Sequence, residues 1–360
     1  MAYLDANATE PLRPEARAAA IEAMDLVGNP ASVHAAGRTT RALLERSRRT
    51  LACRLGAEPG DVVFTSGGTE ANALAITSLG ASRRIIVSAV EHEAVRAAAP
   101  AAETLPVDGD GVVDLAALER MLSGGPALLC LMLANNETGT IQPVAEAARL
   151  CRLAGALLHV DAVQAVGRMA VDLAALGADS MAVSGHKLGG PKGGGALVLA
   201  TGRDVAAVLP GGGQEKGRRG GTQALPAIAG LAAAAACGRS DTLGFRDEIE
   251  AAVRASGGSV LGGTTRLANT VCAALPGVAA ETQVIALDLA GVQVSAGAAC
   301  SSGKVARSHV LDAMGLGDLA GQAIRISLPW NATAADVLAF GGAYAAMAAR
   351  LCGRPVLHPA

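Results

Sequence analysis

Two ionisable residues stand where apolar runs end, and their types suit one another chemically. The run Leu157–Asp161 closes in His159-Val-Asp161-Ala-Val-Gln164; 26 residues after the aspartate, Met181–Ser184 leads into Ser184-Gly-His186-Lys187 and the glycine-rich stretch 188–195. Ligands of open parallel sheets sit beyond the carboxyl ends of the strands. A lysine there can form a Schiff base, and an aspartate opposite can pair with a protonated pyridine nitrogen, which makes the ring an electron sink. Taken singly, Asp161 also reads as a helix cap, and the basic glycine loop as a plain phosphate binder. No Walker pattern fits, because Gly297 to Gly303-Lys304 has one residue too many and Val305 follows the lysine.

Further groups could complete such a site. Phe64-Thr-Ser-Gly-Gly68-Thr69-Glu70 reads as a strand end, a glycine turn and a helix start whose bare N–H groups suit a phosphate, or equally as an ordinary capping box. Cys300 lies in Ser295-Ala-Gly-Ala-Ala-Cys-Ser-Ser-Gly, small residues that predict an exposed loop. Cys130 and Cys151, by contrast, have leucine neighbours, as core cysteines do. Arg325, in the alternating run Ala323–Ser327, has the planar fork that matches a carboxylate, though a solvent-facing salt bridge is the commoner use. By themselves His92 reads as a surface or core histidine and Asn136 as a turn residue.

The elements that must position these groups are legible from periodicity. Helical patterns cover Pro14–Met24, Thr39–Leu55 and an alanine-rich stretch near 227–237. Short unalternated apolar runs at Val62–Thr65, Ile85–Val87, Leu128–Leu133, Leu157–Asp161, Met181–Ser184 and Ala196–Leu199 read as strands buried on both faces. The expected fold is α/β, with a mostly parallel, doubly wound sheet in a large domain over 12–240. The polar stretch 238–242 reads as a hinge into a smaller α+β domain formed by 1–11 and 241–360. There, Thr270–Ala274 and Val284–Asp288 read as strands and Ala334–Arg350 as a closing helix.

Composition narrows the function. With 360 residues, 51% hydrophobic and only 2% aromatic, the core must be built from Ala, Val, Leu and Ile. A net charge of −2 with signs interspersed offers no face for nucleic acid. There is no targeting pattern and no apolar run long enough for a membrane span, so a soluble cytoplasmic protein is expected. Seven scattered cysteines without a C-x-x-C pair speak against a zinc site or a disulfide framework.

The motifs together resemble the class V aminotransferase-like family and, within it, the cysteine desulfurases of iron–sulfur and nitrogen-fixation systems. The matching stretches are Asn29-Pro-Ala-Ser32, Thr65–Glu70, Glu91-His92-Glu-Ala-Val95, Asn135-Asn-Glu-Thr-Gly139, His159–Gln164, Ser184–Lys187, Gly211-Gly-Gly, Arg219-Gly-Gly-Thr222, Ser295–Ser302 and Ile324–Ser327, in one order along the chain. The resemblance implies the pyridoxal-phosphate (PLP) transferase fold of type I. It implies that Lys187 forms the Schiff base, Asp161 holds the pyridinium, His92 stacks on the ring and shuttles protons, and Asn136 and Gln164 bind ring substituents. Gly68, Thr69, Ser184 and His186 would hold the phosphate with Thr222 of a second subunit, making a homodimer. Arg325, with Asn7 near it, would bind the substrate carboxylate.

Cys300 would then take sulfur from L-cysteine as a persulfide, release alanine and pass the sulfur to an acceptor such as an iron–sulfur scaffold protein. The spacing from Cys300 to Leu311–Gly315 matches the long-loop members. Three positions depart from the family pattern: Glu10 for Thr, Gly68 for a common Ala, and Arg219-Gly220 for Arg-Ser. A selenocysteine lyase, or another class V lyase or aminotransferase, would need no thiol nucleophile, so Cys300 discriminates. A sulfur-carrier or non-catalytic PLP-binding module would not need Lys187, Asp161, His92 and Arg325 together.

Overall fold

The computed structural model describes residues 1–238, 241–297 and 307–353. Its centre is a seven-stranded sheet in the order Val62–Thr65, Gly195–Leu199, Ser180–Ser184, Leu157–Asp161, Ala127–Met132, Arg84–Ser88, Glu103–Leu105. From Ser180–Ser184 onward all neighbours are parallel, and only Gly195–Leu199 runs against both of its partners.

The apolar runs mark this sheet because both of its faces are covered. Alternate residues of one strand enter different cores: Leu129 and Leu131 pack with the helices Pro14–Met24, Ala35–Leu55 and Leu225–Ala236, whereas Leu128 and Cys130 pack with the helix Gly68–Leu79. Ala35–Leu55 starts one turn before the expected Thr39, because His34 accepts a hydrogen bond from the Gly37 N–H and caps it there.

A separate antiparallel sheet follows the order Ser295–Ala296, Ala323–Ser327, Thr270–Ala274, Ser259–Leu261. Its core takes Ala2 and Leu4 from the chain start, and Ala2–Tyr3 pairs in parallel with Val292–Gln293. The strand expected at Val284–Asp288 is instead the second half of the helix Ala280–Leu289. The buried residues Ala280, Gln283 and Leu287 fall three and four apart, the spacing of one helix face, while Ile285 is 54% exposed. A five-residue apolar window was too short to reveal that period. The expected hinge at 238–242 includes positions 239–240, which lie outside the described residues. No helix among the described residues is long and apolar enough to cross a membrane.

Candidate active site

The carboxyl ends of the central strands and the start of the Gly68–Leu79 helix enclose a cavity of about 490 Å³. His92, Asn136, Asp161, Gln164, His186 and Lys187 all border it, as do Gly68, Thr69 and Ser184. Close backbone approach builds the glycine turn: a Cβ at Gly195 would lie 2.5 Å from the Gly67 Cα, and one at Gly68 would lie 2.6 Å from Val163 Cγ2. No side chain caps the start of this twelve-residue helix, so its first N–H groups face the cavity beside the Thr69 and Ser184 hydroxyls.

Asp161, on the same cavity wall, is 6% exposed. Its Oδ2 accepts from Asn72 Nδ2 at 2.7 Å and its Oδ1 from the Val163 N–H at 2.9 Å. With Nδ2 facing Asp161, the Asn72 Oδ1 must accept from His159 Nε2 at 2.8 Å, which leaves His159 Nδ1 to accept from the Ser180 hydroxyl at 2.8 Å. Burial pushes His159 down to about 3, so the ring is neutral and fixed in the Nε2–H form. Asn72 and His159 were not among the sequence candidates; the only signal was the histidine two residues before Asp161.

Lys187 ends the short turn Gly185–Lys187, and its Nζ donates to the carbonyls of Asn7 at 2.6 Å and Ala8 at 3.0 Å. Asn7 is fully buried, with Nδ2 donating to the Asn136 carbonyl and Thr270 Oγ1 and with Oδ1 accepting from Asn269. The Asn7 side chain is therefore committed to these contacts, and its carbonyl is what meets the site. Arg325 is 2% exposed; it pairs with Asp5 at 2.8 Å and donates to the Asn136 carbonyl at 3.3 Å, while its Nε has no partner among the described residues. Arg325 and Asn7 stand behind Asn136 and do not border the cavity.

His92 caps the turn Glu93–Arg96, its Nδ1 accepting from the Ala94 N–H at 3.0 Å, which puts the ring proton on Nε2. Two buried carboxyls adjoin it. Glu91 is pushed up to about 8 by burial, with the Asp161 charge adding to the rise. Glu137 is pushed up to about 7 by burial and bonds Ser308 Oγ at 2.5 Å. His186 is pushed down to about 4 by burial and by the charges of Lys187, Lys192 and Arg168. Cys300 lies outside the described residues. Among the described cysteines none borders the cavity, and burial raises the thiols of Cys130, Cys151 and Cys272. Thr222 is exposed beside Arg219 and Ser66 in a neighbouring cavity, away from Lys187 of its own chain.

Residues 2–340 match the class-V aminotransferase family. The chain is 43% identical to a cysteine desulfurase of Cereibacter sphaeroides over 357 residues, covering 93% of this chain and 92% of that protein. Among solved structures, a NifS-like protein from Rickettsia africae superposes with a TM-score of 0.88 at 33% identity, over 96% of this chain and 99% of the other. A complex of SspA with cysteine superposes with a TM-score of 0.79 at 27% identity, over 91% and 99%.

Proposed function

The chain belongs to the class-V aminotransferase family, and on that footing we propose that it is a PLP-dependent cysteine desulfurase of fold type I, converting L-cysteine to alanine. The observation that carries the reading is the composition of one cavity: an uncapped helix start, hydroxyls and the cations Lys187 and Lys192 share its wall with a buried carboxylate. PLP has a dianionic phosphate on one arm and a protonatable nitrogen in its ring, so a donor-rich helix start and a carboxylate in one cavity fit it. Gly68, Thr69, Ser184 and His186 would hold the phosphate, Asp161 the ring nitrogen, Asn136 and Gln164 the ring substituents, and Lys187 the covalent link. When bound, PLP supplies an electron sink for charge developing at the substrate α-carbon.

The chain's own residues then have defined tasks. Asn72 donates to Asp161 and is itself held in that orientation by His159, so the carboxylate is kept aimed at the cavity. Lys187 Nζ would take and return the proton at the substrate α-carbon, and His92, on the cavity wall with its Nδ1 held by the Ala94 N–H, would pass a proton through Nε2. The family resemblance gives the substrate carboxylate to Arg325, which stands behind Asn136 with its Nε still open to an acceptor, and Asn7 braces Asn136 beside it. The Cys300 thiolate would attack the substrate sulfur, forming an S–S bond as the C–S bond breaks, and the carbon product leaves as alanine once protonated.

The position of Thr222 outside the cavity of its own chain supports a homodimer in which it meets the partner's phosphate site. The same reading has two domains, 12–240 and 1–11 with 241–360, and a cytoplasmic enzyme that hands sulfur to an acceptor such as an iron–sulfur scaffold protein. The test is an absorbance spectrum of purified protein with PLP, then alanine and sulfide release from L-cysteine with dithiothreitol, comparing wild type with Cys300→Ala. A visible band in both proteins, with turnover lost only in the variant, supports the reading. No band on adding PLP would sink the cofactor assignment, and full turnover by Cys300→Ala would move the function to a lyase without a thiol nucleophile.

A further inference from the structure

Beneath the lysine lies a second charged pair that the reaction does not use. Arg168 Nη2 donates to Glu10 Oε2 at 3.2 Å, with the two side chains only 8% and 5% exposed. The same guanidinium donates to the Ala6 carbonyl at 3.2 Å, to the Gln164 carbonyl at 3.1 Å and to Gln164 Oε1. With its oxygen so held, the Gln164 carboxamide must turn its nitrogen the other way, and Nε2 donates to the Asn7 carbonyl at 3.1 Å. Lys187 Nζ donates to that same carbonyl and to that of Ala8. Three successive carbonyls, of residues 6, 7 and 8, thus receive Arg168, Gln164 and Lys187.

What holds this stretch in place is asymmetric. Its upstream end is pinned by Ala6 N–H on the Ser327 carbonyl and Asn7 N–H on Ser327 Oγ. Its downstream end is pinned through Glu10, whose N–H donates to the His186 carbonyl at 2.9 Å and whose Oε1 accepts from the Trp330 N–H at 2.6 Å. Among the described residues Glu10 is also the carboxylate set against Arg168, whose guanidinium stays charged at any working pH. Lys187 shares the cavity wall with Asp161, Glu70, His92 and Lys192, its own turn with His186, and a smaller cleft with Arg13, Glu10 and Arg168.

We infer that the Glu10–Arg168 pair is a positioning device for the lysine. It clamps the carbonyls that receive Lys187, sets the orientation of the Gln164 amide, and cancels a buried cation that would otherwise oppose the charge on Lys187 Nζ. Its consequence for the cofactor rests on the reading given above, but its effect on the lysine does not. Replacing Glu10 by a neutral residue leaves Arg168 uncompensated, which disfavours the protonated amine. Replacing both partners removes the imbalance.

The test measures the titration midpoint of Lys187 in the full chain before PLP is added, by competitive acetylation across pH read by mass spectrometry. The midpoint of the visible band is measured separately after loading. Glu10→Gln should lower the Lys187 midpoint by about one pH unit. Glu10→Asp, which keeps the charge, and the double variant E10Q/R168Q should both stay within about 0.3 unit of wild type. The loaded protein should show the same order. A Glu10→Gln protein with lowered melting temperature but an unmoved Lys187 midpoint would overturn the inference and leave the pair a purely structural contact. Should Glu10→Gln not fold, Arg168→Gln decides: loss of the cation alone should raise the Lys187 midpoint, and an unmoved midpoint refutes charge cancellation. A chain that never develops a band would refute the cofactor reading while the acetylation result still stands.

Discussion

Glu91→Gln offers a stability measurement that needs no cofactor. Glu91 is completely buried, and its Oε1 accepts from the Ser88 hydroxyl at 2.6 Å and the Met132 N–H at 2.7 Å, while Oε2 has no partner among the described residues. Burial, reinforced by the Asp161 charge, raises its carboxyl from 4.5 to about 8, so in the folded protein it is neutral at pH 7. An unfolded chain releases that proton near pH 4.5, whereas the folded chain keeps it until about 8. The stabilising contribution is therefore full below the unfolded value and declines as pH rises to the folded one. The slope is about 1.4 kcal/mol per pH unit, on the order of 5 kcal/mol over the window. Glutamine keeps the oxygen acceptor and cannot titrate. Its extra N–H, lacking a partner, costs about 1–3 kcal/mol at low pH. Between pH 6 and pH 8 the variant should therefore gain about 2 kcal/mol on wild type, the slope flattening as the folded carboxyl begins to ionise. Urea unfolding at pH 5, 6, 7 and 8 reads this difference directly. Parallel pH profiles for the two proteins would show that Glu91 is ionised in the fold and that the burial argument is wrong.

Asn72→Ala removes a charge-assisted donor from Asp161 and strands the His159 Nε2–H. The expected losses are about 1–3 kcal/mol of stability and about tenfold in PLP affinity, read by urea unfolding and a fluorescence titration. An unchanged affinity would show that Asp161 does not depend on this network. Gly68→Ala restores a residue common in the family but places a methyl 2.6 Å from Val163 Cγ2. It should lower stability by about 1–3 kcal/mol and weaken PLP binding, and the double variant G68A/V163A should recover both. Failure of Val163→Ala to rescue would mean that the obstruction lies elsewhere.

Local pattern was enough to identify the central architecture. Strands buried on both faces, such as Leu157–Asp161, read as unbroken apolar runs, and glycine turns and strand-end charges mark where a ligand can sit. Asp161, Lys187 and the turn at Gly68 were visible for that reason. The helix Ala280–Leu289 was misread because a short apolar window carries no period of its own, and the buried face that defines it appears only once packed.

Contacts between residues distant in the chain belong to tertiary structure alone. Asn72 meets His159 across 87 positions, Glu10 meets Arg168 across 158, and Arg325 meets Asp5 across 320. A side chain's polar partners depend on which elements fold against it. The resemblance could thus set Asn7 near Arg325, whereas only the fold shows that its amide is enclosed and that its carbonyl receives Lys187. The residue types present in the site follow from the sequence; their ionisation and aim follow from burial and neighbours, because desolvation and hydrogen bonding act only in the folded chain.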